Sequence, residues 1–383
     1  MPSVLAQSRA VCSGCGVAEA IAIFLLVGAA GCGAVYRPQA FRSALDARNL
    51  EQAVSLLDAV LVDRRSGKAK QAGHDVGRLL LERGSVRMAL GDFAGSRDDF
   101  DQADRLLDRQ AMGRSRYLTG GYNPKATVYV YERGWQQALN LPYGAKFYER
   151  LLINPLAAVS RLELGDVDGA CIEARRFGVM ADWTEQVAPG RAAPVRAFGE
   201  LVATFACASV EAGLACGSLQ RAEALSPGSA QKHGISCASP QVGRARLGVF
   251  VGYGRPSYPH SPPEKPEEVT LISGSEAAVE QPTLRIDEQP LVAPEVLDVD
   301  AAVRADYYEG EHAFSMRLLG EETQYGCWSD VAWEALPAHV HWVVLELAPG
   351  PHHISVEVRG ERQERDVRLA PLETRGVWIG VPH

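Results

Sequence analysis

The chain lacks the short motifs that mark several large enzyme classes. It contains no His-Glu-x-x-His, no Gly-x-Ser-x-Gly and no Walker loop, so zincin, serine-hydrolase and P-loop chemistries are not expected. It also lacks a long basic cluster. Lys and Arg number 39 against 47 Asp and Glu, a net charge of −8, which argues against a nucleic-acid partner. No apolar run reaches the roughly 20 residues of a membrane-spanning helix. What is present is ordinary globular material, 46% hydrophobic and 22% charged over 383 residues. That length suffices for two or three domains.

The stretch Leu141–Phe177 carries the clearest local signal. Two helices are expected there, joined at Leu164-Gly165-Asp166. Gly165 makes the break because glycine turns there without strain, and Asp166 caps the second helix. Val167, Ala170, Cys171, Ala174 and Phe177 recur at helical spacing, with Asp168, Glu173, Arg175 and Arg176 off that face. A hairpin of this kind cannot bury its stripe alone, so a helical-repeat scaffold is expected.

Two further turns align with Gly165-Asp166-Val167-Asp168-Gly169-Ala170: Arg48-Asn49-Leu50-Glu51-Gln52-Ala53 and Gly91-Asp92-Phe93-Ala94-Gly95-Ser96. Phe93, Ser96, Phe100, Ala103 and Leu107 mark one helix face, and a fourth unit is expected over 201–227 with Ala215, Ala222 and Pro227. The set resembles a tetratricopeptide (TPR) solenoid with insertions, the largest over 109–140. In that insertion, Thr127–Tyr131 reads as a strand or an apolar helix face.

At the N-terminus, Ala20–Ala30 is a short apolar core of signal-peptide type. It ends in Ala29-Ala30-Gly31-Cys32, which resembles the lipobox of bacterial lipoproteins. The resemblance implies cleavage before Cys32 and acylation of that residue. Each buried methylene of an acyl chain contributes about 0.8 kcal/mol, so two or three chains anchor a protein firmly. Gly33 is not the aspartate that marks inner-membrane retention in some bacteria, so the outer membrane is preferred.

Cys12 and Cys15 form a Cys-x-x-Cys inside the discarded leader. Cys171, Cys207, Cys216, Cys237 and Cys327 remain beside Cys32. An exported chain can close one disulfide, with Cys216–Cys237 and Cys207–Cys216 as candidate pairs. Buried free thiols are the alternative, foremost for Cys171 on its apolar face.

A narrower resemblance lies around Leu141-Pro142-Tyr143-Gly144, Tyr148-Glu149-Arg150, Leu162–Asp166 and Ala170–Arg176. This pattern is similar to a family of bacterial TPR-like lipoproteins, mostly uncharacterised. The chain departs from it in having Tyr143 and Gly144 adjacent, and Asn154-Pro155 where the family helix continues. Asn154 as cap with Pro155 at the first helical position would restart the helix there. Tyr143, Tyr148, Glu149, Arg150 and Arg175 are the candidate partner-binding residues. Packing of the two tyrosines under the preceding loop is the alternative.

Beyond residue 240 the pattern changes. Leu247–Gly254 reads as one strand; its Gly-x-Gly lacks the third glycine and helix of a nucleotide fingerprint. Residues 255–295 hold eight prolines and read as a linker or extended arm. A helix is expected from Leu297, with Asp298, Asp300 and Asp306 as solvated or capping residues rather than a calcium loop. His339–Leu347 and His352–Val358 read as a hairpin turned at 348–351, and Gly376–Val381 as a last strand. In that hairpin His341 would lie roughly 17 Å along the strand from His352 and His353, so the four histidines cannot share one zinc ion.

The expected architecture is α+β: a signal peptide over 1–31, a TPR-like helical-repeat domain over 32–240, a strand with Pro-rich linker over 241–296, and a helix with β-hairpin module over 297–383. The expected role is a lipid-anchored cell-envelope scaffold that binds an envelope protein or peptide and faces the periplasm. No catalytic residue, metal or cofactor is expected. One rival is a wall-synthesis regulator whose β module touches wall glycan or a wall enzyme. The other is an enzyme of unrecognised type built on the histidines and the Tyr143/Tyr148/Glu149/Arg150 cluster.

Overall fold

A computed structural model describes residues 38–62, 76–119, 146–187, 189–190, 192–260, 270–272, 281–312 and 333–381. The leader with Cys12, Cys15 and Cys32, as well as Tyr143, segment 127–131 and Cys327, lies outside the described residues. The chain is α+β, helical first and then largely strand.

Helices come in pairs: α1 (Pro38–Asp46) with α2 (Leu50–Leu61), α3 (Val76–Ala89) with α4 (Phe93–Thr119), α5 (Phe147–Glu163) with α6 (Val167–Val187), and α7 (Ala193–Cys207) with α8 (Ala212–Leu225). The three aligned turns share one construction. Arg48, Gly91 and Gly165 adopt φ of 58°, 81° and 75°. The next residue then caps the following helix: Asn49 accepts from the Gln52 amide at 3.0 Å, Asp92 from Gly95 at 3.0 Å and Asp166 from Gly169 at 2.9 Å. Each pair packs on the next, α4 on α5, then α5 and α6 on α7, so a shared apolar core runs through the layer.

Several local expectations change. Helix α5 runs unbroken through Pro155, so Asn154 does not cap a restarted helix. Its amide donates to Glu173 at 3.3 Å. Glu173 is buried rather than solvent-facing, because Arg161 and Arg176 approach its carboxylate at 3.2 and 3.1 Å. Helix α4 continues beyond Leu107 to Thr119. Two disulfides form, Cys171–Cys207 and Cys216–Cys237. Packing of α6 against α7 brings Cys171 to Cys207, which overturns both the free-thiol reading of Cys171 and the Cys207–Cys216 pair.

After a short helix α9 (Ser229–His233), strand β1 (Ala245–Tyr253) enters the centre of a four-stranded sheet. Its neighbours are β10 (Thr374–Val381), parallel, and β7 (His339–Leu347), antiparallel; β6 (Glu295–Asp298) flanks β7. Strands β2 (Tyr258–His260) and β3 (Thr270–Ile272) form a small ribbon. A second sheet has the order β5 (Gln289–Val292), β4 (Thr283–Ile286), β8 (Gly350–Val358), β9 (Glu361–Leu369). Helix α10 (Val299–His312) follows β6 directly.

The first sheet is the middle layer, which is why β1 is buried along its whole length. Leu247, Val249 and Val251 face the second sheet with Ile354 and Val356. Phe250, Trp342 and Trp378 face the helices with Leu162 and Phe205. The glycines of β1 make room for aromatic rings: a Cβ on Gly248 would lie 2.9 Å from Phe205, and one on Gly252 2.3 Å from Trp378. Of the Gly-x-Gly, Gly252 thus serves packing, and Gly254 ends the strand with φ of 73°.

Strands β7 and β8 do not form a hairpin. The chain crosses at 348–349 from the first sheet to the second, because both strands are apolar enough to need a buried face and each layer takes one. Within the segment read as linker, 283–292 is itself a hairpin, β4–β5, turned at Asp287 and Glu288 with φ of 50° and 64°. The β-rich part therefore draws strands from both sides of residue 296.

Candidate functional site

The helical layer and the middle sheet enclose the segment that leads into β7. Its first described residue, Trp333, donates its backbone N–H to Glu149 at 2.8 Å and its indole N–H to Ser85 at 3.0 Å. The indole ring lies 5.8 Å from Phe100. The next two amides, of Glu334 and Ala335, donate to the two oxygens of Glu82 at 2.9 and 2.7 Å. The Glu334 carboxylate in turn accepts from Arg42 at 2.7 and 2.6 Å, with Arg255 at 3.7 Å. Glu82 of α3 and Glu149 of α5 thus hold a turn of backbone by its N–H groups, while Arg42 of α1 holds the Glu334 side chain. Glu149 does this from the first turn of α5, where its other oxygen accepts the Lys146 amide at 2.7 Å, the glutamate half of a capping box.

A third glutamate of the helical layer works the same way. Glu163, at the end of α5, accepts the backbone N–H of Trp378 in β10 and binds Arg365 of β9 at 3.1 and 3.2 Å. Burial pushes the Glu163 carboxyl up to about 7, against the pull of Arg365 and the Trp378 amide. Burial also raises the pKa of Glu82, with Arg78 opposing and Glu334 reinforcing the rise. Carboxylates carry these contacts because a charged acceptor makes the stronger hydrogen bond to a buried amide.

The sequence-predicted partner residues separate. Tyr148 and Glu149 are 1% and 0% exposed, so neither faces a partner; Glu149 is committed to the chain's own Trp333. Tyr148 packs inside the core; the loop expected to cover it lies outside the described residues. Arg150 bridges α5 to α4 through Asp104 at 2.9 Å and Asp108 at 2.6 Å. Arg175 alone of the described four stands in solvent, paired with Glu211 at 2.9 Å. Ile172 and Val179, 47% and 72% exposed, flank it on the same outward stripe of α6. The tyrosine, glutamate and arginine cluster does not assemble into a surface constellation. The inward roles of Glu82 and Glu163 had no signature in the sequence, since both occur in helical segments where glutamate is ordinary.

The histidines also part company. His352 pairs with Asp287 at 2.6 Å and His353 with Asp366 at 2.8 Å on the second sheet. His339 and His341 lie on the middle sheet. His341 is buried; its Nδ1 donates to the Ala293 carbonyl at 2.7 Å, leaving Nε2 to accept from the Tyr253 hydroxyl at 3.1 Å. Burial lowers its pKa. His339 Nδ1 lies 2.8 Å from Glu295 and 3.9 Å from Asp298. Burial opposes its charge, but the Glu295 hydrogen bond and the nearby carboxylates of Asp298 and Asp300 outweigh it and raise its pKa. Among the described residues, Glu295, Asp298 and His339 are the set able to hold a metal ion. Sequence reading missed the grouping, because 41 residues separate Asp298 from His339.

No family model matches the chain, and no curated protein or solved structure matches it either. Among the described residues no helix is long and apolar enough to cross a membrane.

Proposed function

We propose that this chain is a lipid-anchored scaffold of the bacterial cell envelope, held in the outer membrane through Cys32 and binding an envelope protein or peptide with its TPR-like helical layer. The observation that carries the reading is the grip on residues 333–335: buried carboxylates of the layer hold the backbone amides of a turn, and Phe100 packs beside its tryptophan. That is the chemistry a peptide-holding scaffold needs. The chain fills this inner face itself, which leaves the outer stripe of α6, Ile172, Arg175 and Val179, for a partner. The two disulfides favour an oxidising compartment such as the periplasm. An acidic surface and a helical interaction layer call for no small-molecule cofactor and no nucleic acid.

Mass spectrometry of the mature chain from a bacterial envelope tests the anchor. The expected N-terminus is Cys32 carrying acyl chains. A photo-crosslinker at Ile172 or Val179 should capture one envelope protein, and one at the exposed Val242 should not. An intact leader with an unacylated Cys32, or equal capture at all three positions, would overturn the proposal.

A further inference from the structure

The corner where β6 meets α10 and β7 gathers three donor atoms that no contact described so far requires together. Glu295 and Asp298 lie three positions apart in one strand. In a regular ladder, residues at odd spacing point to opposite faces of the sheet. Here the β6–β7 register slips between Glu295 and Leu297: Glu295 pairs with His341, Leu297 with Val340 and Asp298 with His339. The extra residue turns Glu295 onto the face that already carries His339 and Asp298, which is how bulges re-aim side chains.

We propose that Glu295, Asp298 and His339 form a divalent-metal site of the zinc class, with a coordination position open to solvent. One ligand atom from each residue lies within 4.8 Å of the others. Ligands bonded to one tetrahedral zinc at about 2.0–2.2 Å stand about 3.4 Å apart. The three therefore close on an ion with side-chain shifts of up to about 1.4 Å. Asp298 Oδ1 caps α10 by accepting the Ala301 amide at 2.8 Å, which holds it 3.9 Å from the imidazole nitrogen that Glu295 approaches at 2.8 Å.

The surroundings suit such an ion. His339 is 8% exposed and its ring packs 5.4 Å from Tyr253, so the nitrogen donor is held in place. The Glu295 and Asp298 side chains are 34% and 41% exposed, which gives the ion a path from solvent and room for a water ligand. Two carboxylates, with Asp300 behind them, outnumber the nearby cations. Lys232 donates to the Glu295 carbonyl at 3.2 Å, and Arg304 is engaged with Asp300. One imidazole with two carboxylates matches a borderline ion such as Zn²⁺ better than a soft one. This site does not depend on the scaffold reading, and either can fail alone.

The test is titration of the untagged full chain, stripped with EDTA, with zinc chloride by calorimetry near neutral pH. The expected result is one Zn²⁺ per chain, with the affinity reduced tenfold or more in both His339→Gln and Asp298→Asn. The second variant keeps the helix cap, since asparagine caps as well as aspartate, and so tests the ligand in a folded protein. A His352→Asn/His353→Asn variant should bind as the wild type does. Absence of stoichiometric binding, a smaller loss in either ligand variant, or loss in the His352/His353 variant overturns the proposal.

Discussion

Glu149 on α5 accepts the backbone N–H of Trp333 at 2.8 Å, although 184 positions of chain separate them. With Glu82 and Glu163, it makes a set of three helical carboxylates that receive backbone amides from the β-rich part. The helical layer and the middle sheet are therefore joined by directed hydrogen bonds as well as by apolar packing. Such bonds fix the register of one layer on the other, which apolar contact alone leaves loose.

Removing Glu82 deprives the Glu334 and Ala335 amides of their acceptor. Each buried donor left unmatched costs about 1–3 kcal/mol. Glu82→Ala should therefore lower unfolding stability by about 3 kcal/mol, and Glu82→Gln, which keeps one acceptor oxygen, by less. Urea unfolding followed by tryptophan fluorescence measures both. A loss under about 1 kcal/mol for the alanine variant would mean that the grip contributes little.

Stability should fall as pH rises towards neutrality. The Glu163 carboxyl has a folded pKa of about 7 against an ordinary 4.5. Between those values the folded chain keeps a proton that the unfolded chain has released. Folding is therefore favoured at the acid end of the window and weakened towards the alkaline end. Glu82, raised chiefly by burial, acts in the same sense. The Glu163 contribution to the urea midpoint should decline between about pH 4.5 and about pH 7, so the difference between the wild type and Glu163→Gln narrows over that window. His339, His352 and His353, whose pKa values are also raised, remain in both proteins, so the difference reports Glu163. An unchanged slope in the variant would refute the assignment.

The disulfides should contribute separately. Cys171–Cys207 spans 36 positions and ties α6 to the end of α7, whereas Cys216–Cys237 spans 21 and ties α8 to the chain entering β1. Cross-links of this span typically add about 2–4 kcal/mol. The double variant Cys171→Ala/Cys207→Ala should lose that amount in urea unfolding and keep the Cys216–Cys237 bridge in a non-reducing peptide map. A map pairing Cys207 with Cys216 in the wild type would contradict the helix packing described above.

Local chemistry was readable before any tertiary contact was known. Gly165-Asp166 and Gly91-Asp92 announce their turns because a left-handed residue and a side-chain cap are both satisfied within five residues. Phe93, Phe100, Ala103 and Leu107 line one buried face as their spacing implies. The run around β1 was readable as a strand, and Thr374–Val381 lies where a last strand was expected. Glu173 was misplaced for the opposite reason: helical spacing counts it as outward, and only Arg161, Arg176 and Asn154 on neighbouring turns and helices make its burial tolerable. The β7–β8 hairpin failed likewise. Two apolar strands joined by Pro-Gly pair in isolation, but a second sheet competes for β8 and wins through β4 and β9.

By itself, then, the sequence determined the paired helices, the strands around β1, β7, β8 and β10 but not β4, β5, β6 or β9, where the helical turns fall, and that apolar stripes on paired helices need neighbours. These depend on interactions within a few residues. The tertiary structure alone decided that Glu82, Glu149 and Glu163 turn inward, that Cys171 meets Cys207, and that Glu295 and Asp298 converge on His339. A glutamate, a cysteine or a histidine has no periodic signature of its own; its role depends on which distant backbone, thiol or carboxylate the packing brings within about 3 Å.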